Sequence, residues 1–205
     1  MTRIEQIMRT APVIPVLVID DAAHARPIAE ALVAGGLRVL EVTLRTAAAL
    51  DVIREMKSVT GAIVGAGTVL NEADLRASID AGSEFIVSPG LTDALGKAAV
   101  ASGIPFLPGT ANASDIMRGL DLGLRHFKFF PAATSGGIPA LKALCGPFGD
   151  VHFCPTGGIT QDTARDWLAI DQVRCVGGSW LVAKGAPDEA RITAAAQAAA
   201  ALAKG

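Results

Sequence analysis

Residues 125–132 read Arg-His-Phe-Lys-Phe-Phe-Pro-Ala, a bulky apolar run that carries one lysine and ends at a proline. Such a run is typical of a strand covered on both faces, because proline does not let a helix continue through it. We therefore predict a barrel strand at His126–Phe130 that presents Lys128 to a pocket. Burial strips an ammonium of hydration and favours the neutral amine, which attacks ketones to form a Schiff base. A lysine that snorkels from the strand end to solvent is the structural alternative.

The rest of the chain alternates short apolar runs with longer amphipathic stretches, which predicts strand–helix units around a parallel sheet. The predicted strands are Val13–Ile19, Arg38–Thr43, Ala62–Gly67, Phe85–Ser88, Pro105–Leu107, His126–Phe130, Val151–Pro155 and Arg174–Gly177. The predicted helices are Ala23–Ala34, Ala47–Lys57, Glu72–Ala81, Asp93–Ala101, Ser114–Leu120, Ile138–Leu144, Gln161–Leu168 and Pro187–Ala203.

Eight such units predict an α/β fold of the (β/α)8 TIM-barrel type, with one domain over residues 1–205. A short helix within Arg3–Arg9 is predicted to close the barrel floor. An open doubly wound sheet is the alternative, but it would normally carry a G-x-G-x-x-G turn after its first strand. Asp-Asp-Ala-Ala stands there at residues 20–23.

Composition excludes several function classes. The formal net charge of -2 offers no basic field for nucleic acid. The N-terminus lacks an apolar core of signal-peptide length, and the alanine-rich C-terminal tract is too short for a membrane span, so a cytoplasmic protein without membrane contact is expected.

The cysteines and histidines give no pattern of a metal site. Three cysteines without C-x-x-C spacing argue against a disulfide framework, and their spacing to the three histidines is not that of a metal site. We therefore predict that the chain binds no metal and needs no cofactor. His24, His126 and His152 are interpreted as surface or packing residues.

Polar residues cluster where the predicted strands end, the edge at which barrel enzymes carry their chemistry. Glu41 lies inside an apolar strand, which is costly unless its carboxylate is paired or used, and Arg45 follows in the loop. A structural ion pair between these two and a functional pair, with Glu41 moving protons and Arg45 binding a carboxylate, are both compatible with the pattern. Thr68 adds a hydroxyl after a glycine-rich strand end.

The loops after strands four and five, Ser88-Pro89-Gly90 and Pro108-Gly109-Thr110, are predicted turns first and pocket walls second. Paired glycines follow the last two strands, at Gly157–Gly158 and Gly177–Gly178, with Ser179 beside the second pair. At these positions a barrel wraps backbone N–H groups around a phosphate. The alternative is that each pair only makes a tight turn.

Taken in order, the motifs Glu-Val-Thr-Leu-Arg-Thr, Gly-Ala-Gly-Thr-Val, Lys-Phe-Phe-Pro-Ala, Cys-Pro-Thr-Gly-Gly-Ile and Gly-Gly-Ser-Trp resemble those of the bacterial 2-keto-3-deoxy-6-phosphogluconate (KDPG) and 4-hydroxy-2-oxoglutarate (KHG) aldolases. The resemblance runs from about Ile4 to about Val182. It implies a class I aldolase of the Entner-Doudoroff pathway that acts on a phosphorylated keto acid and forms a homotrimer. It implies these site residues: Lys128 for the Schiff base, Glu41 for acid-base work, Arg45 and Thr68 for the pyruvate carboxylate, Pro89 and Phe130 beside the pyruvyl methyl, Thr156 for the sugar-derived part, and Gly157, Gly158, Gly178 and Ser179 for the phosphate.

Three other functions stay open at this point. KHG could be the main substrate, since the pyruvate end of the site would be unchanged. A sugar-phosphate isomerase could use Glu41 as its base on the same barrel, with Lys128 as an electrostatic group. A non-catalytic binder of phosphate ligands would leave the lysine, the glutamate and Arg45 without a role.

Overall fold

Helices alternate with parallel strands along the whole described chain, as predicted. The computed structural model describes residues 1–202, which contain nine strands and nine α-helices. The strands are Val13–Leu17 (β1), Val39–Thr43 (β2), Ile63–Gly67 (β3), Ile86–Val87 (β4), Phe106–Leu107 (β5), Gly109–Thr110 (β6), His126–Phe129 (β7), His152–Pro155 (β8) and Val176–Gly178 (β9). The helices are Arg3–Met8 (α1), Ala25–Ala34 (α2), Ala49–Lys57 (α3), Glu72–Asp80 (α4), Asp93–Ser102 (α5), Ala113–Asp121 (α6), Gly137–Cys145 (α7), Ala164–Leu168 (α8) and Glu189–Ala200 (α9).

The strands form two parallel sheets. One has six strands in the order β5-β4-β3-β2-β1-β9, and the other has three in the order β6-β7-β8. The α/β class and the parallel pairing are confirmed, whereas the pairing does not run unbroken through eight strands.

The fifth predicted strand is where the ladder changes sheet. It continues beyond Leu107 as a second piece, Gly109–Thr110, and the predicted turn at these two residues is wrong. Pro108 separates the pieces because it has no N–H to donate. Its carbonyl nevertheless accepts a 2.8 Å hydrogen bond from the Lys128 backbone N–H.

Three helices begin directly after a polar residue whose side chain caps them. The side chains of Asn71, Thr92 and Asn112 accept a hydrogen bond from a backbone N–H in the first turn of α4, α5 and α6. Helix α8 begins at Ala164, later than predicted, because Thr160 and Thr163 hydrogen-bond to each other in a preceding turn.

The last helix also starts late and was predicted to run beyond the described part. Asp188 caps α9 by accepting from the Arg191 N–H, so the helix begins after Pro187. The predicted helix end, Ala203, lies outside the described residues. No helix within residues 1–202 has the length and apolarity that a membrane crossing requires.

Apolar side chains pack in two layers because strand residues alternate between the two faces. One large cluster lies between strands and helices. A smaller cluster joins strand residues of the other face with the N-terminal helix: Ile7, Met8, Ile14, Val39, Phe85, Val87, Leu107, Cys154 and Cys175. Met8 of α1 is completely buried there, so the predicted N-terminal helix covers the amino ends of the strands.

Candidate active site

Strands β2 and β7 bring Lys128 and Glu41 together across the inner face. Lys128 Nζ donates a 2.9 Å hydrogen bond to Glu41 Oε1, although the two residues are 87 positions apart in the chain. Lys128 is 5% exposed and Glu41 is 3% exposed. A buried charge is tolerated when an opposite charge pairs with it. The sequence alternative of a snorkelling lysine is therefore wrong, and Glu41 pairs with Lys128 rather than with Arg45.

Gly67 makes room for the Glu41 carboxylate. It lies in β3 beside β2, and a Cβ atom at this position would stand 2.3 Å from Glu41 Oε1. Any larger residue would displace the carboxylate or the strand. The group that approaches this glycine is therefore a side chain of the protein itself.

The aromatic ring after β7 stands over the lysine. The Phe130 ring centroid is 5.3 Å from Lys128 Nζ, within cation–π range. The Phe130 backbone N–H donates to the Thr110 carbonyl at 3.1 Å, which holds the end of β7 against β6. Phe130 itself is half-buried.

Arg45, Thr68 and Pro89 follow the carboxyl ends of β2, β3 and β4, as the sequence indicated. Arg45 is exposed, and its side chain makes no hydrogen bond or ion pair with any group in residues 1–202. Thr68 is half-buried and has a φ of 61°. Left-handed backbone is rare for a β-branched residue, costs about 1–3 kcal/mol, and is commonest at functional sites.

The loops after β7 and β8 lie side by side. The N–H groups of Ala132 and Ala133 donate to the carbonyls of Thr156 and Gly157 at 2.8 and 3.0 Å. Gly157 and Gly158 have φ values of 101° and 75°, which glycine adopts without strain. These contacts place the first glycine pair directly beside the end of the lysine strand.

Donors are available beside both glycine pairs. Thr156 is buried and bridges to Gly177 of β9, so the second glycine pair adjoins the first. Within the described part of the chain, the backbone N–H groups of Gly158 and Ser179 have no hydrogen-bond acceptor. Two free donors on neighbouring loops suit an anion. Gly178 itself is buried, and Ser179 is exposed.

Trp180 supports the second loop, a role that the sequence did not reveal. Its ring contacts the Gly178 backbone so closely that a Cβ on Gly178 would lie 2.3 Å from the ring. Its Nε1 donates a 2.9 Å hydrogen bond to Gln161 Oε1. A tryptophan two residues after a glycine pair was the available signal, but its hydrogen-bond partner lies in a different loop.

A second polar cluster lies at the opposite, amino-terminal ends of the strands. His126 of β7 pairs in register with His152 of β8, and their ring centroids are 5.4 Å apart. The Glu5 carboxylate of α1 lies beside them, with Oε2 3.9 Å from His126 Nε2. These three residues offer ligand atoms within 4.8 Å of one another, the one such group found among residues 1–202. The prediction that the histidines only pack or face solvent missed this arrangement.

Burial and neighbouring charge keep these imidazoles neutral. Burial, followed by the charge of His152, lowers the pKa of His126 from 6.5 to about 4. Burial, followed by the charge of Arg174, also lowers the pKa of His152. The hydrogen bond from Arg9 lowers the pKa of Glu5, which keeps this carboxylate charged.

The fold and the site at the carboxyl ends together define a class: a parallel α/β protein with a buried lysine–glutamate pair on the inner face of its strands. The chain belongs to the KDPG and KHG aldolase family, whose family model matches residues 4–195. It is 60% identical to the 2-dehydro-3-deoxy-phosphogluconate aldolase of Zymomonas mobilis over 202 residues, 98% of this chain and 97% of the relative. It is 56% identical to the KHG/KDPG aldolase of Escherichia coli, with 88% of this chain and 85% of the relative covered.

Solved structures give the same family. The KDPG aldolase of Zymomonas mobilis ZM4 with 3-phosphoglycerate matches with a TM-score of 0.97 at 60% identity, covering 98% of this chain and 97% of that one. The Legionella pneumophila KDPG aldolase, with pyruvate captured as a covalent carbinolamine intermediate, matches with a TM-score of 0.91 at 44% identity, covering 97% and 98%.

Proposed function

We propose that the chain is a class I aldolase, a lyase that reversibly cleaves KDPG to pyruvate and glyceraldehyde 3-phosphate. The observation that carries this proposal is the buried 2.9 Å hydrogen bond between Lys128 and Glu41. It places a proton acceptor directly on the amine that must become a nucleophile. The names of the Zymomonas mobilis and Escherichia coli relatives support the substrate.

Imine formation is the first step. Glu41 takes a proton from the Lys128 ammonium, and the free amine adds to C2 of the keto acid to give a carbinolamine. Glu41 returns the proton to the carbinolamine hydroxyl, and loss of water gives an iminium and restores the carboxylate. The Legionella pneumophila aldolase, in which pyruvate was captured as a covalent carbinolamine, supports this order.

Cleavage follows from the iminium. Glu41, through a water molecule, takes the proton of the C4 hydroxyl, the C3–C4 bond breaks, and its electron pair moves into the iminium. Glyceraldehyde 3-phosphate leaves, and pyruvate stays on Lys128 as an enamine. Protonation of the enamine carbon and hydrolysis release pyruvate and restore the amine. The iminium is the electron sink, so the reaction as written uses no metal or cofactor.

We assign the carboxylate of the substrate to Arg45 and Thr68. Arg45 is exposed and free of protein partners among the described residues, so its planar guanidinium can bind a carboxylate with two parallel hydrogen bonds. Thr68 follows β3 directly, in a left-handed backbone conformation, and offers a hydroxyl. Pro89 and Phe130 then stand beside the pyruvyl methyl group, each half-buried.

We assign the phosphate to the loops after β8 and β9. The free N–H groups of Gly158 and Ser179 support this, together with the left-handed backbone of the first glycine pair. We also assign Gly157 and Gly178 to the phosphate-binding site, and Thr156 to the sugar-derived part of the substrate. The 3-phosphoglycerate of the Zymomonas mobilis structure carries both a phosphate and a carboxylate, in keeping with this division of the site.

Mass spectrometry after treatment with pyruvate and borohydride tests the proposal. We expect one reduced adduct per chain, and peptide mapping should place it on Lys128. Lys128→Met should give neither adduct nor cleavage, whereas Lys142→Met, on the exposed face of α7, should retain both. An adduct that survives in folded Lys128→Met, or substantial residual turnover of that variant, would contradict the assignment.

KHG is the second candidate substrate. The Escherichia coli relative is named for both substrates, and the residues assigned to the pyruvate end do not depend on a phosphate. Comparing kcat/KM for the two substrates decides which one is preferred. A value for KHG equal to or above that for KDPG would make KHG the main substrate.

We also propose that the two sheets are parts of one closed (β/α)8 barrel in a single domain. The bridges Phe153–Val173 and Thr156–Gly177 between β8 and the β9 region support closure on one side. On the other side, only Pro108 separates β5 from β6. A crystal structure tests this closure.

The homotrimer and the cytoplasmic location stay predictions from the sequence. Analytical ultracentrifugation, with three chains per particle as the expected result, tests the first. Cell fractionation tests the second.

A further inference from the structure

Three buried polar atoms at the amino ends of the strands have no hydrogen-bond partner within residues 1–202. They are His126 Nε2, His152 Nδ1 and Arg174 Nε. The three residues lie close together because β7 pairs with β8, and β8 bridges to the segment that precedes β9. Leaving a buried donor or acceptor unpaired is unfavourable, because the group has lost its hydrogen bonds to water. Buried polar atoms without a protein partner are commonly satisfied by an ordered water or an ion.

We propose that His126, His152 and Glu5 form a binding site for a divalent transition-metal ion such as Zn²⁺. Two imidazoles and one carboxylate are a ligand set that zinc accepts. His126 is 6% exposed, and its free Nε2 faces Glu5 Oε2 at 3.9 Å. Ligand atoms on a tetrahedral zinc lie roughly 3.3 Å apart for bonds of about 2 Å. The ligand atoms of these three residues lie within 4.8 Å of one another, so small side-chain rotations would bring them to that separation.

The three ligands come from separate elements that the fold holds together. The in-register pair His126–His152 fixes the two imidazoles on neighbouring strands. Glu5 comes from α1, whose Met8 is anchored in the inner apolar cluster. A metal ion would therefore tie the N-terminal helix to the strands that it covers. Sequence spacing could not reveal the site, because Glu5 is more than a hundred residues from either histidine.

Two arginines compete with a metal ion for the same atoms. Arg9 Nε binds Glu5 Oε1 at 2.9 Å and leaves Oε2 for the metal. An Arg174 guanidinium nitrogen lies 3.1 Å from His152 Nε2 and must turn away if that nitrogen binds the metal. The rival occupant is an anion, which the two guanidinium groups would attract. The two occupants predict opposite effects of removing the Arg174 charge.

A groove gives the ion a route to the site. A groove of about 410 Å³ opens beside His126 and is lined by, among others, Arg3, Ile4, Phe106 and Leu124. It admits water, which supplies the fourth ligand that a three-residue zinc site needs. This groove lies at the end of the strands opposite Lys128, so metal binding there leaves the lysine accessible.

Calorimetric titration of the chelator-stripped full chain with Zn²⁺, in a phosphate-free buffer, tests the proposal. The starting protein carries Cys145→Ser, so that its partly exposed thiol does not bind zinc. We expect one ion per chain and a higher thermal midpoint when zinc is present, because a ligand that binds only the folded state stabilises it. Formation of the pyruvate–borohydride adduct at Lys128 should be unchanged.

Variants decide between metal, anion and no site. Glu5→Gln and His152→Asn should each weaken zinc binding at least tenfold, whereas His24→Ala, at the other end of the strands, should leave it unchanged. Arg174→Gln should tighten zinc binding several-fold by removing a competing charge. The proposal is overturned if zinc does not bind, if His24→Ala weakens binding as much as His152→Asn, or if Arg174→Gln weakens it. Stabilisation by inorganic phosphate that is lost in Arg174→Gln would assign the site to an anion instead.

Discussion

Lys128 and His126 lie two residues apart on one strand, face the same interior, and are almost equally buried at 5% and 6% exposure. Lys128 donates to a carboxylate at 2.9 Å, whereas the nearest carboxylate oxygen to His126 Nε2 is at 3.9 Å. The charge on Lys128 is therefore compensated inside the protein, and His126 remains neutral. Burial alone therefore does not determine whether a side chain is charged. The distance to a carboxylate on a neighbouring element determines it.

After the loss of Lys128 itself, the largest expected effect at the lysine end is that of Glu41→Gln. The amide still accepts a hydrogen bond from Lys128 but cannot take a proton, so kcat for KDPG should fall about 10²–10⁴-fold. The matched variant at the other end, His126→Phe, should keep kcat within a few-fold. Steady-state kinetics with thermal unfolding as a control checks both. A Glu41→Gln enzyme with near-normal kcat would contradict the role of Glu41.

Gly67→Ala tests whether the position of the Glu41 carboxylate matters, because it displaces this side chain without replacing it. The new Cβ would lie 2.3 Å from Glu41 Oε1, so the carboxylate must shift away from Lys128. We expect kcat to fall about 10–100-fold, since small misplacements of catalytic groups have costs of this order. Gly149→Ala, in an exposed loop with open space around the Cα, is the control and should behave as the unchanged protein. Equal kinetics of the two variants would show that the position of Glu41 is not critical.

Ser179→Asp tests whether the phosphate lies at the lysine end. A carboxylate there would repel the substrate phosphate, and a like-charge contact of this kind costs a few kcal/mol. The kcat/KM for KDPG should fall about 10–100-fold, while that for the unphosphorylated KHG should change less than about threefold. Equal losses with both substrates would place the phosphate elsewhere.

The smallest effect is expected at the histidine end and concerns stability. The pKa of His126 falls from 6.5 to about 4 on folding, so the unfolded chain binds more protons between these pH values. Stability should therefore decrease as the pH drops below about 6.5, by roughly 2 kcal/mol between pH 7 and pH 5 for this group. Urea unfolding in the presence of a chelator measures it, and His126→Phe should lose this part of the pH dependence. An equal pH dependence in both proteins would show that His126 does not contribute.

The sequence was most informative where local pattern and chemistry coincide. Glu41 and Lys128 stand out as charged residues inside apolar strands, and the strand–helix alternation predicts that both strands have parallel neighbours. Helix starts at Asn71, Thr92 and Asn112 were predictable because a cap depends on residues only three positions away.

The features that could not be predicted from the sequence depend on pairing between distant segments. That Glu41 pairs with Lys128 and not with Arg45 follows from strand order, which no local pattern states. The split of the fifth strand at Pro108 depends on which neighbour each half pairs with. The approach of Glu5 to two histidines likewise requires a helix to dock on the strands.

The period-two geometry of β7 also limits how this segment can change. His126 and Lys128 share one face, while Phe127 and Phe129 fill the apolar layer under the helices. Inserting or deleting a single residue in this strand would exchange the two sets, turning both polar side chains toward the helices and both phenylalanines inward. The lysine site and the histidine cluster would then be lost in one event. A length change in this strand would thus remove both sites, whereas a substitution removes one side chain at a time.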